Sequence, residues 1–211
     1  MARKQYGSMI AKIFVGVVLL IVAVIGLAYG SMLRTMDQAA EDYNRGDTEG
    51  ALKRYENVEA RLRSLGVIRI IPAKDRRSLI LNEARLLYAL GKYDDALERM
   101  ERENEISGVT TDGRFLLLRG EIAFRKAVNN YRDSKKKDPR VLEEALRAAE
   151  DNLRDSLRMT PDSWDAKYNF EFVNYIRNMM NQDDQGKMKI LMENVRIKEM
   201  QPKALPIDQQ M

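Results

Sequence analysis

The feature that most constrains this chain is an apolar run over residues 13–33, which has 21 positions and no charged side chain. As an α-helix rising about 1.5 Å per residue, the run is roughly 31 Å long, which matches a bilayer hydrocarbon core of about 30 Å. A helix satisfies its own backbone hydrogen bonds there, and Tyr29 lies near one end as an interfacial aromatic residue. We therefore predict a transmembrane signal anchor over residues 13–33.

Two alternatives to an anchor can be weighed from the same residues. A buried core helix is disfavoured because the run is apolar on every face. A cleavable signal peptide fits the basic start, and 28–30 (Ala-Tyr-Gly) loosely resembles a small-x-small cleavage site. The run is longer than the usual apolar region of such peptides, so an uncleaved anchor is favoured, and the question of cleavage stays open.

The net charge of +4 predicts membrane topology and does not indicate nucleic-acid binding. Three of the excess positive charges, Arg3, Lys4 and Lys12, lie in the first 30 residues, which contain no acid. A nucleic-acid-binding protein would concentrate its charge on the folded part. The positive-inside rule makes 1–12 a basic cytoplasmic segment and places 34–211 across the membrane. The expected location is thus the inner (cytoplasmic) membrane, single-pass, with an extracytoplasmic or periplasmic domain.

The sequence contains no His and no Cys, which removes most catalytic and metal-binding chemistry. Thiol nucleophiles, disulfides, zinc fingers and Ser-His-Asp triads all need one of these residues. No Gly-rich phosphate motif is present, and neighbouring acids such as Asp94 and Asp95 are typical of solvated helix faces. We predict no enzyme activity and no catalytic, cofactor or metal site.

The chain after the anchor predicts an all-α domain over 34–181, with helices separated by short turns. The stretch 66–74 is too apolar for a free loop, and it could be an extended segment packed on helices, or a patch that meets a partner or the bilayer surface. The tail 182–211 is expected to be partly disordered, with a possible short helix over 187–200. The predicted helices cover 32–45, 48–65, 78–90, 93–102, 114–132, 140–159 and 165–180.

Residues 82–97, NEARLLYALGKYDDAL, closely resemble the centre of a tetratricopeptide repeat. The resemblance implies that Ala84 and Ala96 are the small residues where two helices cross, that Gly91 ends the first helix, and that Tyr93 packs over the turn. A weaker copy lies 45 residues earlier, so 66–74 is a candidate insertion, and a third copy looks split around 133–138. The implied fold is an α-solenoid of about three such hairpins with a capping helix.

The last helix contains 164–171, WDAKYNFE, which resembles the A-x-Y-N-L-E signature of small membrane-anchored repeat proteins encoded beside MoxR ATPases. That group includes the Bat-operon and MxaK-like accessory proteins. Phe170 replaces the commoner Leu, and the insertions at 66–74 and 133–138 also depart from the pattern. The resemblance implies partners among von Willebrand factor A-type membrane proteins and their client enzyme.

Stacked helical repeats usually bind partners on a concave face lined by the first helix of each pair. Three arginines on that face would favour an acidic peptide segment or a carboxyl terminus. The leading interpretation is a non-enzymatic scaffold that aids assembly or maturation of an extracytoplasmic complex. The alternative is a structural subunit bound permanently in a large membrane complex, with 66–74 and the tail as contact surfaces. The predicted groove residues are Arg85, Tyr88, Arg114, Glu121, Phe124 and Arg125.

Overall fold

The computed structural model describes residues 2–107 and 112–181, and within them the side chains of 12–102 and 112–180. Every regular element in these residues is an α-helix, so the predicted all-α class is confirmed for the described chain. The tail 182–211 and its possible helix lie outside the described residues. The helices are α1 (Ala2–Asn44), α2 (Thr48–Ser64), α3 (Ala73–Ala89), α4 (Tyr93–Ser107), α5 (Gly113–Asp133), α6 (Pro139–Met159) and α7 (Trp164–Asn181).

The chain falls into two compact units, which divide between Leu79 and Ile80 within α3. In the first unit, α1 continues without a break from the apolar run to Asn44. Its most apolar stretch has a mean hydropathy of 2.8 and no buried residue, so one N-terminal helix is long and apolar enough to span a membrane. The last turns of α1 pack on α2, where Met32, Met36 and Ala39 are buried.

Between α2 and α3 the apolar stretch forms turns, so the first of the two alternatives for 66–74, an extended segment, does not hold. Gly66 ends α2 at a φ of 68°, and the Ile70 N–H donates to the Val67 carbonyl at 2.9 Å. Helix α3 then begins at Ala73, five residues before the predicted start. The reason is that the Pro72 carbonyl accepts the N–H groups of Asp75 and Arg76, and proline is well suited to the start of a helix.

The second unit has two buried clusters that share α5. One joins α3, α4 and α5, and the other joins α5, α6 and α7. The buried side chains at the centre of the first are Ile80, Leu81, Ala84, Ala96, Met100, Phe115, Leu118 and Ile122. The second includes Leu117, Phe124, Leu146, Ala149, Leu153, Ala166, Val173 and Ile176. Because α5 is buried on two sides, it forms the centre of this unit.

The four residues singled out as repeat-packing positions all lie at the α3–α4 hairpin. Ala84 and Ala96 are fully buried, and Gly91 adopts a φ of 74°, a conformation that favours glycine. The Tyr93 ring lies 5.7 Å from the Tyr88 ring, between ring centroids, at 49°. Small residues therefore bring the two helices close together, and the aromatic pair fills the space beside the turn.

Candidate partner-binding groove

Five of the six predicted groove residues come together in the second unit. Arg85 and Tyr88 lie three residues apart on α3, which places them on one helix face. On α5, Glu121 and Arg125 lie four residues apart and Arg114 two turns earlier on the same stripe. Their side chains interact electrostatically across the two helices. We use the name groove cluster for Arg85, Tyr88, Arg114, Glu121 and Arg125.

Phe124, the sixth predicted residue, is part of the core and does not line a surface. Its side chain is 1% exposed, and its ring centroid lies 5.8 Å from that of Phe172. The Phe172 ring stacks in turn on Tyr168, which is 42% exposed. This aromatic row runs from the core of the unit to its surface.

Glu121 is the most deeply buried acid of the groove cluster. It is 4% exposed, and its Oε1 accepts a hydrogen bond from Asn169 Nδ2 at 2.8 Å. Burial raises the pKa of Glu121 to about 7, although Arg85 opposes that rise and Asp165 adds to it. The carboxyl group therefore keeps its proton to a higher pH than an exposed glutamate does.

Arg114 and Arg125 are both held by other residues of the unit. The Asp112 carboxylate caps α5 by accepting from the Arg114 backbone N–H at 3.0 Å, and its Oδ2 accepts from Arg114 Nη2 at 2.7 Å. Arg125 Nε donates to Tyr88 Oη at 3.4 Å. Burial and the negative charge of Glu121 raise the pKa of Tyr88 to about 12, so this tyrosine stays neutral.

Arg85 differs from the other two arginines of the groove cluster. Its side chain is half-buried, and loss of solvent lowers its pKa, although Glu121 opposes that effect. Within the described part of the chain, Arg85 makes neither a hydrogen bond nor an ion pair. A guanidinium carries five N–H donors in a planar fork, and within the described residues none of those of Arg85 is used in a hydrogen bond.

The sequence did not predict that residues of α7 and of the turn before α5 interact with the groove cluster. Asp165 and Asn169 lie one turn apart on α7, and Asp112 precedes α5. A signal for Asn169 did exist, because it interrupts the apolar stripe formed by Ala166, Val173 and Ile176. A polar residue on a buried stripe requires a hydrogen-bond partner, and Glu121 fills that role.

The site combines one guanidinium that has no hydrogen bond or ion pair within the described residues, two arginines held in place, a buried carboxyl group whose pKa is raised, and an aromatic row that reaches the surface. Within the residues searched, which are those the structure describes, no group of three or more acidic side chains is placed to hold a metal ion. Comparisons with protein-family models, with curated proteins and with solved structures gave no match to this chain.

Proposed function

We propose that this chain is a non-enzymatic membrane-anchored adaptor, whose groove cluster binds an acidic segment or a carboxyl terminus of a partner protein. The observation that carries the proposal is Arg85, a partly desolvated guanidinium with no hydrogen bond or ion pair in the described chain. A carboxylate can bind it through two parallel N–H···O bonds, which are stronger where water is partly excluded.

In this proposal α1 crosses the inner membrane once, with its N-terminus in the cytoplasm. The support is the unburied apolar stretch of α1 and the basic residues that precede it. The helices beyond the membrane form tetratricopeptide-like hairpins, for which the supports are the glycine turn at Gly91 and the small residues at the α3–α4 crossing. Anchoring raises the local concentration of the groove near membrane-bound partners.

The proposed partners are von Willebrand factor A-type membrane proteins and the complex whose assembly or maturation they serve. This part of the proposal depends on the resemblance of residues 164–171 to MoxR-associated repeat proteins. The groove adds a chemical requirement, since the partner has to present a carboxylate close to an apolar or aromatic side chain. Tyr168 and Phe172 stack on each other on α7, the helix that also carries Asn169, the hydrogen-bond partner of Glu121.

Photocrosslinking in native membranes, followed by mass spectrometry, tests this function. A photoreactive phenylalanine replaces Tyr168 beside the groove, and a second chain carries it instead of Val141, an exposed residue of α6. We expect a defined protein to be captured from position 168 and not from position 141. Capture should fall by about tenfold or more when Arg85 is changed to Gln, because the loss of a charge-assisted bond costs about 1.5–3 kcal/mol.

The matched control is Arg140→Gln, which removes an exposed arginine from α6. It should leave both capture and helical content unchanged. If the Arg85→Gln variant is captured as fully as the Arg140→Gln variant and the wild type, the groove cluster is not the binding surface. Equal capture from positions 141 and 168 would also contradict the proposal.

A further inference from the structure

An apolar cleft lies in the first unit, between α1 and the turns that follow α2. Its volume is about 350 Å³, and nearly all of its lining is apolar. Helix α1 contributes Val22, Ile25 and Tyr29, and the turns contribute Val67, Ile70 and Pro72. Next to the cleft, Ile70 and Leu65 are 62% and 60% exposed. Apolar surface of this kind, rimmed by charged residues, is typical of a membrane or protein contact.

The position of the cleft along α1 indicates which contact it makes. Arg34 is the first charged residue after the apolar run, and Val22 precedes it by about 18 Å at a rise of about 1.5 Å per residue. Tyr29 precedes it by about 7 Å on the same scale. If α1 spans a bilayer with Arg34 at the surface, the wall of the cleft lies inside the hydrocarbon region and not above it.

The apolar run is only as long as the bilayer core is thick, so α1 cannot shift outward far enough to place the cleft outside the bilayer. Its 21 residues match the hydrocarbon thickness, so sliding α1 outward would draw Lys12 into the apolar core. Burying a lysine near the middle of a membrane is strongly unfavourable. The turns that line the cleft together with Val22 and Ile25 therefore enter the leaflet with α1.

The charges around the turns fit the headgroup layer. Between Leu62 and Arg77 there are five basic residues, and Asp75 is the one acid. Asp75 is buried, and its Oδ2 accepts a hydrogen bond from Tyr29 Oη at 2.6 Å, which holds the start of α3 against α1. Arg69 and Lys74 are exposed on either side of Ile70 and Ile71. Basic side chains that flank an apolar insertion attract anionic headgroups.

We propose that residues 65–72 insert into the leaflet beside α1, that the cleft holds an acyl chain of a phospholipid, and that Arg69 and Lys74 bind the phosphate of an anionic headgroup. The inference rests on the membrane-spanning placement of α1 in the proposed function. Continuity with the membrane-spanning surface of α1 selects a lipid as the occupant, because the cleft opens on residues that already face acyl chains.

Depth-dependent fluorescence quenching by brominated lipids tests this insertion on the full chain. Trp164, the sole tryptophan, is changed to Phe, and one tryptophan is then placed at Ile70, Leu19 or Asn44. The vesicles contain phosphatidylcholine brominated along the acyl chains, with and without phosphatidylglycerol. Leu19→Trp reports on the anchor itself, and Asn44→Trp lies about 15 Å beyond Arg34 along α1 and serves as the aqueous control.

We expect quenching at position 70 within about twofold of that at position 19, and little quenching at position 44. Adding Arg69→Glu and Lys74→Glu should lower the quenching at position 70 in the vesicles that contain phosphatidylglycerol. Circular dichroism on each variant confirms that the helices are intact.

The outcomes separate this inference from the proposed function. Quenching at position 19 without quenching at position 70 overturns the lipid insertion and leaves the anchor in place; the cleft would then be free for a protein partner. Failure of quenching at position 19 shows that α1 does not enter the bilayer, and this overturns both. Equal quenching at position 70 in the double Glu variant overturns the role of the basic pair.

Discussion

Glu121 gives the sharpest quantitative prediction, because its burial links its protonation to the stability of the second unit. The folded state raises its pKa from an ordinary value of 4.5 to about 7. As the pH rises between these values, the unfolded chain releases the proton while the folded chain retains it. Stability therefore falls over this interval, since the folded state binds more protons than the unfolded state.

The size of this effect follows from the two pKa values. Each pKa unit corresponds to about 1.4 kcal/mol, so the Glu121 contribution to the free energy of unfolding should fall by about 3 kcal/mol between pH 4 and pH 8. The variant Glu121→Gln isolates the effect, because Gln keeps the shape of the protonated side chain and cannot ionise.

The measurement is urea unfolding of the full chain in detergent micelles, followed by circular dichroism at a series of pH values. The difference in unfolding free energy between the wild type and Glu121→Gln should change by about 3 kcal/mol from pH 4 to pH 8. Glu144→Gln, which changes an exposed glutamate of α6, should show no such change. If the curves for the wild type and Glu121→Gln run parallel, attraction to Arg85 offsets the burial of Glu121 and the reasoning is wrong.

Two further predictions concern single packing contacts, one in each unit. Tyr29→Phe removes the hydrogen bond to the buried Asp75 carboxylate, at a cost of about 1–3 kcal/mol. Amide hydrogen exchange in the first turn of α3 should therefore accelerate about tenfold or more. The control, Tyr175→Phe, changes an exposed tyrosine and should leave this exchange rate unchanged. Gly120→Ala would place a Cβ 2.7 Å from Leu153 Cγ, which is closer than van der Waals contact allows. Urea unfolding should therefore show that the free energy of unfolding falls by about 1–3 kcal/mol. A variant as stable as the wild type would mean that α5 and α6 pack less closely than described.

The helices themselves could be predicted well from the sequence, because their signals are local. Apolar periodicity and glycine or proline positions gave the order of the elements, and most predicted ends lie within two residues of the observed ones. Apart from α1, which begins at Ala2, the largest errors are the start of α3 and the end of α4. At α3, the helix begins directly after Pro72 although its first turn is polar, and Asp75 is held there by a hydrogen bond to Tyr29. No local pattern contains a contact between residues 46 positions apart.

The groove cluster shows the same limit of sequence-based prediction, because its three arginines differ in their contacts with other side chains. Arg85, Arg114 and Arg125 are equivalent in the sequence, since each lies on the expected face of a first helix. Their difference arises from neighbours: Asp112 holds Arg114, and the Tyr88 hydroxyl accepts from Arg125. Under the proposed function, a partner carboxylate would have to compete with an existing hydrogen bond at either of these two, whereas Arg85 makes no hydrogen bond within the described residues. Arg85→Gln is therefore the most direct single substitution with which to test the proposed binding.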